Sequence, residues 1–127
     1  MNSVILIDSS VWVAVSRGGD ATLTQEVANL LSARRAAMTW PIWVELYQGA
    51  KGQREQQALT EWREVCLWLE FDDACWTEAA VIARTCLRAG VNVPFGDVLI
   101  HACASCHGVQ LLQRDRHFTM IREAMGS

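Results

Sequence analysis

Val4-Ile5-Leu6-Ile7 is an unbroken, largely β-branched apolar run with no polar alternation. A run of that kind reads as a strand buried on both faces, which requires a parallel sheet covered by helices. Ala36-Ala37-Met38-Thr39, Leu69-Glu70-Phe71 and Val109-Gln110-Leu111-Leu112 read as further short strands. Helical stretches fall between them. Ser9 or Ser10 is placed to cap a helix through Val11 to Val15. After the turn Gly18-Gly19-Asp20, Leu23, Val27, Leu30 and Leu31 recur at helical spacing over residues 21–35. Pro41 suits the first turn of a helix reaching about Gln48, and residues 55–68 continue as helix. Asp72 or Asp73 caps a helix that runs through Leu87-Arg88 and closes at Gly90. Residues 97–107 form a helix ending at Gly108, and Phe118 to Met125 a last short one. Strands alternating with helices argue for an α/β layered fold with a mostly parallel sheet.

A chain of 127 residues is expected to be a single domain, 1–127, with core enough to fold without staples. No apolar stretch approaches the roughly 20 residues of a membrane span. Met1-Asn2-Ser3 has no basic leader character and Val4 to Ile7 is too short for a signal core, so the expected location is the cytoplasm. The five cysteines are an odd number, which there argues for reduced thiols. A net charge of −3 argues against unaided binding of a polyanion. Carboxylates that bind divalent cations reverse that sign locally. Lys51 is the only lysine among the eleven basic residues; the others are Arg, whose fork suits phosphate oxygens.

Four acids sit where the apolar runs stop. Asp8 follows the first run, Glu45 follows Pro41-Ile42-Trp43-Val44, Asp97 follows Pro94-Phe95-Gly96, and Asp115 comes shortly after Leu111-Leu112. In open α/β sheets ligands bind outside the carboxyl ends of the strands. Hard cations such as Mg²⁺ and Mn²⁺ prefer carboxylate and water oxygens. Paired ions can activate a water and stabilise the leaving oxygen of a phosphodiester. The plain alternative is that acids gather at caps and strand ends by chance, with Asp97 only a helix cap.

The ordered motifs carry a family resemblance. Ile7-Asp8-Ser9-Ser10, Val44-Glu45-Leu46 with Gly49-Ala50, Pro94-Phe95-Gly96-Asp97-Val98-Leu99-Ile100, and the stretch from Gly108 through Asp115 to Phe118 resemble PIN-domain ribonucleases of the VapC toxin type. The resemblance spans essentially the whole chain. It implies a PIN-like α/β fold, with a short, mostly parallel central sheet flanked by helices on both faces. It implies metal-binding, catalytic acids at Asp8, Glu45, Asp97 and Asp115, with Mg²⁺ or Mn²⁺ as cofactor. It further implies cleavage of single-stranded regions of RNA, neutralisation by a cognate antitoxin, and a homodimer. Ser10 matches a small polar position that supports the first acid. Gln113 stands where the family usually has Thr, and His117 where a further Asp is common.

Two readings of other classes compete: a catalytically idle PIN-like module that binds RNA or protein, and a hydrolase using Asp8 as nucleophile. The four intact acids argue against the first. Ser10, where the second would need an Asp, argues against it. Cys103-Ala104-Ser105-Cys106-His107 has the pattern for covalent haem attachment. The expected lack of export and the helical stripe of Val98, Leu99, Ala102, Cys103 and Cys106 argue for core-facing thiols and no haem; a structural Zn²⁺ is a minor alternative. His101 lies one helical turn past Asp97, and Arg114, Arg116 and His117 flank Asp115 as phosphate candidates. Arg34-Arg35 reads as a helix C-terminus. Of the six tryptophans, Trp12, Trp40 and Trp43 lie near acid motifs, as packing, base-stacking rings or a groove for a partner helix.

Overall fold

β1 (Ile5–Ile7) leads into α1 (Ser9–Arg17) and α2 (Ala21–Ser32), and β2 (Ala36–Met38) into α3 (Trp40–Gly49) and α4 (Gln53–Val65). β3 (Leu67–Trp68), α5 (Asp73–Arg88), α6 (Phe95–His107), β4 (Gln110–Leu112) and α7 (Arg116–Ala124) complete the order. The structure, a computed structural model, describes residues 3–126; Met1, Asn2 and Ser127, which the terminal readings touch, lie outside the described residues.

The sheet order is β3-β2-β1-β4 and every pairing is parallel, with Ile5 opposite both Ala36 and Gln110. All four carboxyl ends therefore lie along one edge. β1 sits between β2 and β4, and the Asp8 amide still bonds the Leu112 carbonyl at 2.9 Å. The first residue beyond β1 is thus held by the sheet itself. Leu6, Ile7, Trp12, Met38, Ile82 and Ile100 are fully buried, so strands and helices share one core. Seven of the thirteen residues of α6 are buried, and α3, α5 and α7 all pack on it. A helix apolar on most sides is an interior helix, and it forms a rigid mount for Asp97 in its first turn.

Four expectations shift. The helix expected over 55–68 spans Gln53–Val65, and the strand expected at 69–71 lies at 67–68. Cys66 turns extended (φ −79°, ψ 150°), and Leu69 then bonds the Met38 carbonyl at 2.8 Å. The open edge of β2 takes this segment over. Asp8, not Ser9 or Ser10, caps α1, its side chain accepting from the Ser10 amide. Finally, Arg34 and Arg35 lie beyond α2: Arg34 is left-handed (φ 57°) and Arg35 bonds back to the Leu30 carbonyl at 2.9 Å, a Schellman closure. No helix among the described residues is long and apolar enough to cross a membrane.

Candidate metal centre

Asp8 is 2% exposed at the carboxyl end of β1. Its Oδ2 accepts from the Ser10 amide at 3.0 Å and from the Ser10 hydroxyl. Its Oδ1 is buried with no hydrogen-bond partner. The Ser10 hydroxyl also accepts from the Arg114 amide at 3.3 Å, which ties the loop before α7 to the first acid. The supporting role that the resemblance gives Ser10 thus has a geometric counterpart.

Glu45 projects from the second turn of α3, where the Ser9 hydroxyl donates to its Oε1 at 2.9 Å. The other oxygen lies over the backbone of α6: a Cβ on Gly96 would stand 2.6 Å from Glu45 Oε2. Gly96, immediately before Asp97, therefore leaves the space the carboxylate occupies.

Asp97 is 7% exposed. Pro94 is the N-cap of α6 and no side chain caps it, so the carboxylate of Asp97 is not consumed as a cap. Asp115 does cap a helix, its Oδ1 accepting from the His117 amide at 2.9 Å. The His117 ring then enters the acid cluster. Its Nδ1 lies 2.7 Å from Asp115 Oδ1 and 3.1 Å from Asp97 Oδ2. Neither approach is aligned as a hydrogen bond, since Asp97 Oδ2 and His117 Nδ1 both remain without one. Ligand atoms of Asp97, Asp115 and His117 fall within 4.8 Å of one another.

The four acids lie near enough to act on one another electrostatically. Burial raises the Asp8 carboxyl above its ordinary range against the pull of the Ser10 bonds, and Asp115 raises it further. Burial likewise raises Glu45, with Asp8 and Asp115 adding to it and the Ser9 bond opposing. Asp97 is pushed up to about 6, by burial first and then by Asp115 and Asp8, with His117 the opposing charge. Partly buried carboxylates that repel one another are relieved either by taking up protons or by binding a cation. The donor set is hard oxygen, and the two most buried acids, Asp8 and Asp97, each keep one buried oxygen without a hydrogen-bond partner. These residues fit a divalent ion such as Mg²⁺ or Mn²⁺.

The remaining candidates separate. His101 is half-buried, and the charges acting on it are those of Glu78 and Arg122 rather than the four acids. Gln113 Oε1 is buried without a partner. Arg114 is exposed and its Nη1 lies 3.9 Å from Asp20 Oδ2. Trp12 is fully buried and packs on Trp62 at 4.6 Å, and both rings lie under a pocket that Glu45 also lines. Trp43 is half-buried against Trp68 at 5.9 Å. Trp40 is 48% exposed and Trp76 50%, and they line an apolar groove with Val44, Phe71 and Leu99 that reaches Glu45 and Gly96. Cys103 is buried, but Cys106 is exposed, so only one thiol of that run faces the core. The residue underrated by spacing is His117. The available signal was its place two residues after Asp115, where relatives by resemblance carry another acid.

The fold and this carboxylate edge define a class. A family profile described as the PIN domain matches residues 5–124. The VapC ribonuclease Mb1587 of Mycobacterium bovis is 38% identical over 122 residues, covering 93% of this chain and 91% of the relative. Ribonuclease VapC11 of Mycobacterium tuberculosis matches to the same extent. In structure the chain resembles the DNA-bound VapBC of Salmonella typhimurium, at a TM-score of 0.81, 17% identity and 92% and 91% coverage of the two chains. It also resembles VapBC-1 of nontypeable Haemophilus influenzae, at a TM-score of 0.79, 16% identity and 94% and 93% coverage. The chain belongs to the PIN-domain family and, within it, to the VapC group.

Proposed function

We propose that this protein is a divalent-metal-dependent endoribonuclease, the toxin of a toxin–antitoxin pair, that cleaves single-stranded regions of RNA. The observation that carries the reading is the convergence of Asp8, Glu45, Asp97 and Asp115 at one sheet edge, with each raised carboxyl feeling other members of the set. Asp8 and Asp97, the most buried, are the primary ligands for Mg²⁺ or Mn²⁺, and Glu45 and Asp115 complete the cage directly or through water. Bound ions would supply activation of a water and charge stabilisation at the scissile phosphodiester.

The chain's own residues supply position. Ser10 fixes one oxygen of Asp8 and leaves the other free. Ser9 holds Glu45 against the open side of Gly96. Asp115 is aimed by its cap bond to α7. The protein that restrains the enzyme lays an amphipathic antitoxin segment into the apolar groove of Trp40, Val44, Phe71, Trp76 and Leu99, which ends beside Glu45. The working form is a homodimer.

Cleavage of a panel of single-stranded and structured RNAs, with and without EDTA, in wild type and Asp8→Asn, tests the reading. Metal-dependent cutting by the wild type and none by the variant is the expected result. Full activity in a clean Asp8→Asn preparation, or in excess EDTA, would sink it.

A further inference from the structure

Away from the carboxylates, the thiols gather. Cys75 lies in the first turn of α5, while Cys103, Cys106 and His107 lie in the last turns of α6. Spacings of three and four residues put both later donors on the side of α6 that Cys103 marks. One ligand atom each from Cys75, Cys103 and His107 lies within 4.8 Å of the others, and Cys75 forms a second such set with Cys106 and Asp72. Cys75 is therefore common to both groups, its thiol lying within 4.8 Å of that of Cys103 and of that of Cys106. The carbonyl of Glu70 holds the donors in place: His107 Nε2 lies 2.7 Å from it and Cys75 Sγ 3.6 Å.

We propose that Cys75, Cys103, Cys106 and His107 bind one Zn²⁺ ion as a structural site, distinct from the carboxylate centre. Three thiolates and one imidazole are a zinc donor set, and closed four-ligand sites of this type are structural. With Zn–S near 2.3 Å, tetrahedral donors stand about 3.8 Å apart, so the Cys75, Cys103 and His107 atoms need to close by only about 1 Å, while the exposed Cys106 side chain has to turn in from its place beside Cys75 and Asp72. Cys75 and Cys103 are fully buried and supply the fixed half of the site. Cys106 and His107 are exposed at the rim and close it from the solvent side. Asp72 stays outside the set because its carboxylate already caps α5 through the Cys75 amide at 3.2 Å. The same burial argues against haem, since the Cys103 sulfur has no open face on which a macrocycle could bond. Each thiol that binds releases its proton to solvent, so loading strengthens as pH rises. The ion would clamp the start of α5 to the end of α6, the helix whose other end carries Asp97.

The experiment uses the full chain, reduced and stripped of metal, titrated with Co²⁺ as a spectroscopic substitute and then with Zn²⁺. The expected result is one thiolate-bound Co²⁺ per chain, counted by its charge-transfer absorption and the intense visible bands of a tetrahedral site apart from any Co²⁺ at the carboxylates, both signals being lost as Zn²⁺ displaces it. Cys106→Ser and His107→Asn, at exposed positions that leave the core intact, should each weaken binding by at least about 100-fold. Asp8→Asn should leave the spectrum unchanged, which separates this site from the carboxylates. Absence of the charge-transfer band in wild type would overturn the proposal. So would an unchanged affinity in both rim variants, or a Cys75–Cys103 disulfide in protein isolated without air.

Discussion

Gly96 and Glu45 occupy one space from two elements. The Oε2 of Glu45 stands where a side chain at Gly96 would begin, 2.6 Å from the position of its Cβ. The acid can lie flat against α6 only because the residue before Asp97 has no side chain.

Gly96→Ala should therefore separate activity from stability. The methyl group meets the mobile end of a side chain, so Glu45 swings aside and the backbone stays. In a helix, Ala is preferred to Gly by roughly 0.5–1 kcal/mol. RNA cleavage is expected to fall by about 100-fold, the scale of an ångström-level misplacement, while the melting temperature holds or rises. Unchanged turnover would mean that Glu45 need not sit where it does.

Ser9→Ala tests the same acid from the other side. Loss of the 2.9 Å bond to Oε1 leaves Glu45 without its tether to α1. A side-chain hydrogen bond to a charged group contributes about 1.5–3 kcal/mol, so cleavage should drop by roughly tenfold or more with Mg²⁺ present. Glu45 also loses an interaction that lowers its pKa. The acid limb of the pH–rate profile should accordingly move to higher pH, which a mere change in folding would not produce.

Metal-free protein should lose stability as pH rises from about 4 to about 6. Asp97 has a folded pKa of about 6 against an ordinary 3.8, so the folded state binds the extra proton in that window. The contribution is fully present below the unfolded value and gone above the folded one, about 3 kcal/mol at 1.36 kcal/mol per tenfold change in proton affinity. Burial raises Asp8 and Glu45 in the same sense. Urea midpoints in EDTA at pH 4.5 and pH 7.5 measure it, with Asp97→Asn as the control expected to show a shallower slope.

Mg²⁺ or Mn²⁺ should reverse that loss at neutral pH. A ligand that binds only the folded state adds about 2.7 kcal/mol at one hundred times its Kd. Melting temperatures with and without the ion should differ for wild type and coincide for Asp8→Asn and Asp97→Asn. These variants should melt no lower than the metal-free wild type, because each removes a repelling buried charge.

Much of this was legible in the chain. The strand at Ile5–Ile7 announced itself because a sheet interior permits no polar alternation. Asp8 and Asp115 were legible for a related reason, since a strand that must stay apolar reveals where it ends, whereas Glu45 and Asp97 lie inside α3 and α6 and stood out through their apolar neighbours and the family-like motifs. β3 was not, because two residues show no period and Trp62, Val65 and Trp68 mimic a helical stripe across the break at Cys66. Nor was the capping of α1, where Asp8 acts as both cap and candidate ligand while the serines behind it turn to Glu45 and Asp8. His117 depends on a turn geometry that spacing does not specify. The exposure of Cys106 depends on how α6 sits against α5, which its helical stripe alone does not determine.

Trp12 tests the core beneath the site. It follows Asp8 by four residues, is fully buried, and packs on Trp62 at 4.6 Å with the rings tilted by 33°. Its Nε1 is buried without a hydrogen-bond partner. Trp12→Ala removes the ring and should cost about 3–5 kcal/mol. Trp12→Phe keeps an aromatic ring against Trp62 and removes the orphaned donor, whose burial is itself unfavourable by about 1–3 kcal/mol. That variant is expected to lose less than half as much by urea denaturation and to retain cleavage. Equal losses in the two variants would show that the volume of the indole, rather than its contact with Trp62, is what the core requires.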